Sequence, residues 1–318
     1  MATQTTDELR AALSDPNATR RQLALIDRAD DIGVEDLSAL IAAAAGDTDP
    51  TVRRLAVGLL EELGDARALP AVVSALADAD PGVREAAQSA VREFRGQGAL
   101  HALVAATVHE HPEVREWAVI GLRELRDEAA MNALLTTLTD PVAAVRRAAV
   151  VSLAYLRNSG CAPALLARLE DEDAGVRRLA IAALARTSSP ESWATPIARR
   201  LSDVNWQVRA EAAQALADSR APDAADPLIR ALDDDHWQVI KAAVVALEAL
   251  RAHESIKHLL PLLRSPASDV RRAAAEALGH LGAEAARSGL IQLASDGDVE
   301  VRKAASRALD QLGKAQPV

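Results

Sequence analysis

Nine valines stand at a nearly constant interval along the chain: Val52, Val83, Val114, Val145, Val176, Val208, Val239, Val270 and Val301. Seven of the eight steps are 31 residues, and the step into Val208 is 32. An arginine follows eight of the nine, with Ile240 the departure, and an alanine stands four places beyond each, from Ala56 to Ala305. A fixed period of about 20 to 50 residues marks a solenoid, where each unit buries its apolar face only against its neighbours.

Within a unit the local signals are helical. Around Val83, Ala68 to Ala77 suits a first helix, Asp78 to Gly82 breaks it, and Val83 to Phe94 suits a second. Pro81 stands where that second helix begins, with Asp80 placed to cap its free N–H groups. With each valine as position zero, positions 0, 4, 7, 8 and 11 share one side at about 100° per residue. In the Val52 unit these are Val52, Ala56, Leu59, Leu60 and Leu63; in the Val145 unit, Val145, Ala149, Ser152, Leu153 and Leu156. Small residues at positions 4 and 7 let helices approach towards the short end of the ~8–10 Å range. Gly64, Gly96, Gly282 and Gly313 stand where units close, as a left-handed helix end asks. No two-residue alternation appears, so the predicted fold is all-α.

The ends differ from the middle. Thr5 to Asp30 reads as a first unit without its valine, with Asp15-Pro16 echoing Asp49-Pro50 and Thr5 and Glu8 at capping-box spacing. Lys303, Arg307, Asp310 and Gln311 make the last helix polar. Residues 5–33 and 284–314 are therefore expected to cap core repeats over 34–283, in a single solenoid of about ten units spanning 1–318.

The strings DPTVRRLAVGLLEELGD (49–65) and DVRRAAAEALGHLG (269–282), the Pro-Gly-Val core at 81–83, and the first-helix openings at 68–71 and 162–166 carry a family likeness. They resemble HEAT repeats, in the short form found in phycobilisome lyase subunits, from about Val34 to Gly313. The resemblance implies an α-solenoid wound as a right-handed superhelix, with second helices lining the concave side. It says little about function, because a fold does not fix one.

Composition narrows the functional classes. A net charge of −10 opposes binding along a phosphate backbone, which draws on clustered Lys and Arg, so no nucleic-acid partner is expected. With aromatics at 2%, the core must be built from Ala, Leu and Val. Cys161 is the only cysteine, which excludes an internal disulfide and a cysteine-based metal cluster. There is no apolar leader segment and no run of ~18 apolar residues, so a soluble cytoplasmic protein is expected, with no membrane partner.

Several residues invite a chemical role. The recurrent arginines could grip an acidic partner, but their repetition favours pairing with turn aspartates such as Asp49, Asp80, Asp173 or Asp298. Ile240 interrupts them, leaving Asp233, Asp234 and Asp235 as candidates for unpaired carboxylates. His109, Glu110 and His111 offer too few fixed ligands for a metal site. His253-Glu254 prompts comparison with deoxyhypusine hydroxylase, a di-iron HEAT enzyme. That family carries His-Glu pairs within helices of four units, a pattern not met here. Trp206 and Trp237, two residues before their valines, could stack a ligand ring or cover the interhelical turn. HEAT-type DNA glycosylases use aromatic residues too, but with a basic groove. No nucleophile elbow, phosphate loop or paired-His motif is present. No enzyme activity and no cofactor or metal are expected.

Positions 2, 6 and 9 of the second helices point away from the core. There Ile120 and Val151 are expected to be exposed neighbours, flanked by Trp117 and Tyr155, with Glu116, Arg123, Arg147 and Arg178 around them. An apolar centre with a charged rim suits a protein interface. The expected function is a non-enzymatic scaffold or adaptor holding a protein or peptide client on the concave face. The alternative is a phycobilisome-lyase-like subunit or cofactor-insertion factor acting on a client. Thr187 and Ser219 replace the usual Leu or Phe at position 11 beside the 32-residue step, which predicts a softer joint around 186–222.

Overall fold

The recurring valines and alanines lie at the bottom of the core. All nine Val at position 0 and all nine Ala at position 4 are 0% exposed. In this computed structural model residues 8–219 and 221–314 are described, and every regular element among them is a helix. The α-solenoid expected from the register is what the chain forms. Its contacts group into two units, Met1–Arg157 and Asn158–Val318.

In the first unit the second helices are Pro50–Leu63, Pro81–Ala90, Pro112–Leu125 and Ala143–Leu156. Pro50–Leu63 packs on Pro81–Ala90, and Pro112–Leu125 on Ala143–Leu156. In the second unit they are Ala174–Thr187, Trp206–Ala217, Trp237–Ala249, Ser268–His280 and Val299–Lys314, each packed on the next. First helices are shorter and broken by 3-10 turns, as in Ala66–Ala68 followed by Leu69–Ala75. Pro81 opens its helix as expected, and the Asp80 carboxylate accepts the N–H groups of Gly82 and Val83. The apolar face is wider than the five positions read from the sequence. Position 5 is also 0% exposed at Val57, Val119, Val150, Ile181, Ala213, Val244 and Ala275.

The arginines after the valines are structural, but their partners are not the aspartates expected. Asp49, Asp80, Asp173 and Asp298 cap their own helices, accepting for example the N–H of Val52, Val83, Val176 and Val301. Five of these arginines instead join two successive turns. In each, Nη1 donates to a carbonyl six residues back, as Arg53 does to Asp47 and Arg115 to His109. Nε and Nη2 grip the aspartate of the following turn. The pairs are Arg53–Asp78, Arg115–Asp140, Arg177–Asp203, Arg209–Asp234 and Arg271–Asp296, at 2.6–2.8 Å. Arg21 does the same to Asp47 at 2.7 Å, so the first unit belongs to the ladder although its valine is missing. Asp234 is therefore paired, against the expectation that the break at Ile240 would leave it free. At that break the aspartate of the next turn is itself replaced, by Ser265. A second gap is at Arg84, whose next-turn residue is His109. The His109 Nδ1 accepts the N–H of His111, the bond that Asp78 makes to Asp80, and Arg84 is left with backbone partners only among the described residues.

Helix ends also differ from expectation. Gly64 and Gly282 have φ of 60° and 65°, in the left-handed region that Cβ disfavours. Gly313, by contrast, lies inside the final helix. Arg126, Arg157 and Arg251 take the left-handed conformation at φ of 51–53° where no glycine is present. The capping box of Thr5 and Glu8 falls partly outside the described residues. At the joint around Thr187, Trp193 is 1% exposed and donates its indole N–H to the Ser188 carbonyl at 3.2 Å. A large ring from the following helix, Pro190–Arg199, is thus buried beside the end of the Thr187 helix.

Candidate functional site

The outward side of the Pro112–Leu125 and Ala143–Leu156 helices carries seven of the eight expected partner-binding residues. Pro112 opens the first helix, and both helices are set by buried valines at positions 0 and 5, so positions 2, 6 and 9 must turn outward. Two couplings cross between them. The Arg123 guanidinium lies over the Tyr155 ring, 5.4 Å from its centroid, within the ~6 Å reach of a cation–π contact. At the other end, Arg147 acts electrostatically on Glu116, whose carboxyl is pushed up by burial and drawn back by that arginine. Trp117, Ile120 and Val151 lie on the same two helices between these ends.

Ile120 and Val151 are half-buried, not open as expected. Helical periodicity aims them outward, but the close approach allowed by small residues at positions 4 and 7 brings the adjacent helix against them. Tyr155 is the well-exposed aromatic member of the group, at 45%. Arg123 also holds Glu124 through Nε and Nη2, and that pairing lowers the Glu124 carboxyl pKa. Arg178 belongs to the second unit, exposed, with its nearest carboxylate Glu211 at 3.9 Å.

The second unit has its own surface feature around the tryptophans. Trp206 stacks on His236 with centroids 5.4 Å apart and planes at 11°, while Trp237 is 41% exposed with Lys241 over its ring. Together with Arg178, Glu211, Gln214 and Val245 they line a groove. The sequence placed Arg178 at an interface but did not group it with the tryptophans. The available signal was that all lie at positions −2, 2, 3 and 6 of consecutive second helices.

The remaining candidates are less organised. His109 and His111 stack on each other at 5.5 Å, with His109 committed to the turn. His253 and Glu254 lie exposed in a 3-10 turn. Among the described residues no group of three or more His, Cys, Asp or Glu is arranged to hold a metal ion. Nor is any described helix long and apolar enough to cross a membrane.

Stacked helix pairs joined by a ladder from repeat to repeat define a helical-repeat protein. The model for HEAT repeats matches residues 6–92, 72–154, 131–195, 194–277 and 256–318, and the chain belongs to that family. Among curated proteins no match is found. Solved structures share the fold at low identity. An engineered protein is 21% identical, with a TM-score of 0.53 over 97% of this chain and 98% of its own. A chain of the complex in which Kap95p binding induces the switch loops of RanGDP to adopt the GTP-bound conformation is 16% identical, with a TM-score of 0.65. The alignment covers 99% of this chain and 50% of that one, so this chain spans about half its length.

Proposed function

We propose that the chain is a non-enzymatic scaffold or adaptor that docks a protein or peptide client on the outward, expectedly concave, side of its second helices. The observation that carries this is the patch between the Arg123–Tyr155 and Glu116–Arg147 couplings. Its apolar members, Trp117, Ile120 and Val151, are held on a rigid two-helix base with an exposed tyrosine beside them. Aromatic and arginine side chains are the usual anchors of protein interfaces. HEAT-repeat membership and the likeness to a chain of a protein–protein complex support the same reading. A cytoplasmic setting is part of the proposal.

Affinity capture from the native host tests it. A stoichiometric protein client should be retained, and Tyr155→Ala with Arg123→Ala should weaken it by about tenfold or more. Tyr155 is more open than Ile120 and Val151 and Arg123 lies on the same outward side, so the variant should melt close to the parent. Failure to retain any client, or retention untouched by the variant, removes this patch as the interface. A coloured tetrapyrrole adduct on a co-purified client would instead identify a lyase-like factor.

A further inference from the structure

The tryptophan groove has a volume of about 500 Å³ and lies wholly within the second unit, along the Trp206–Ala217 and Trp237–Ala249 helices. That size is within the ~300–1,000 Å³ of ordinary ligand sites. The two rings are not needed to start their helices, since Pro50, Pro81 and Pro112 hold the same place in other units. Trp206 has one face fixed against His236. Trp237 and Val245 remain 41% and 45% exposed, an apolar surface that the neighbouring unit does not cover.

Charge then selects the occupant. Two cations, Arg178 and Lys241, line the groove with one carboxylate, Glu211, which stands 3.9 Å from Arg178, while a second carboxylate, Asp269, meets Lys241 from outside the lining. Lys241 has its ammonium 3.0 Å from Asp269 and 5.8 Å from the Trp237 centroid, so it is held at the ring's side. Gln214 and Gln238 also face the groove and, among the described residues, make no side-chain hydrogen bond. A primary amide offers a donor and an acceptor together, the pair that a peptide bond requires.

We propose that this groove binds an extended peptide segment in which an aromatic or large apolar side chain is flanked by Asp or Glu. The side chain lies against Trp206, Trp237 and Val245, the flanking carboxylates meet Arg178 and Lys241, and the glutamines pair with the peptide backbone. This rests on the scaffold reading and adds to it a second contact with stated chemistry.

The full chain is applied to an array of blocked heptapeptides whose centre is Phe, Trp, Leu or Ala and whose flanks are all Glu, all Gln or all Lys. Glu-flanked peptides with Phe or Trp at the centre should be retained best. Trp237→Ala and Lys241→Glu should each reduce that retention by about tenfold, and Lys241→Arg should preserve it. Circular dichroism melts of each variant show whether it is folded; if Trp237→Ala is not, Lys241→Glu decides. Equal or better retention on Gln or Lys flanks, no retention at all, or displacement by oligothymidylate at lower concentration than by the acidic peptide overturns the proposal. A captured client that depends on Tyr155 and Arg123 but not on Trp237 would remove the groove while leaving the scaffold function standing.

Discussion

A ladder arginine divides its donors between two turns, one nitrogen for the carbonyls behind it and a two-pronged grip for the carboxylate ahead. Planar guanidinium geometry makes this possible, and a lysine could not reproduce it. Both members of each pair are largely buried, so removing one leaves an uncompensated charge. Asp140→Ala should therefore destabilise the chain by on the order of 3 kcal/mol in urea unfolding, and a loss below about 1 kcal/mol would show the pair to be ornamental. The gap at His109 allows the opposite experiment. Neutral imidazole has one acceptor nitrogen, already used by the His111 N–H, so Arg84 finds no carboxylate there. His109→Asp should restore the missing pair and raise stability by about 1–2 kcal/mol. A variant that melts no later than the parent would refute this. The arginines themselves were legible in the sequence, but their partners were not. Two aspartates occur in the same turn, as Asp47 and Asp49 do, and only coordinates separate the one that caps from the one that bridges.

At the level of the helix, period and apolar phase were readable because burial repeats with the register, and every valine and alanine so chosen is buried. The wheel under-counted the core at position 5 and so over-exposed position 6. It could not show how close a neighbouring helix comes, and that is why Ile120 and Val151 are half-buried. At the Thr187 joint the wheel likewise reads only the second helices. Its missing leucines lie on the second helices, while the ring buried against Ser188, Trp193, comes from the Pro190–Arg199 helix. Trp193→Ala should cost about 3–5 kcal/mol and accelerate amide exchange over residues 186–219. If exchange there is already fast in the parent, the ring does not stiffen the joint. Caps act more locally: Asp173→Ala removes the acceptor for the Val176 N–H and should cost about 1 kcal/mol.

For the molecule as a whole, the ladder makes stability depend on acid. Asp78 and Asp296 are held below the usual carboxylate range chiefly by their arginines. For Asp47, Asp140, Asp203 and Asp234 burial pushes upward, and the arginine and backbone N–H bonds outweigh it. A lowered native pKa gives stability that is complete above the unfolded value of ~3.9 and is lost as pH falls through the native one. Glu61, Glu116 and Glu211, raised by burial, oppose this slightly, because protonating them relieves a penalty. Helical circular dichroism should thus survive mild acid and collapse only below about pH 4. Collapse near pH 6 would point to histidines instead. The ladder also gives the repeats that carry it a direction, since each paired arginine reaches forward to the aspartate of the next turn. Repeats that carry both the turn aspartate and the arginine six residues after it are in that respect interchangeable parts, open to duplication or exchange by recombination. The Ile240–Ser265 junction has lost donor and acceptor together, so a standard part inserted on either side of it would meet a mismatched coupling.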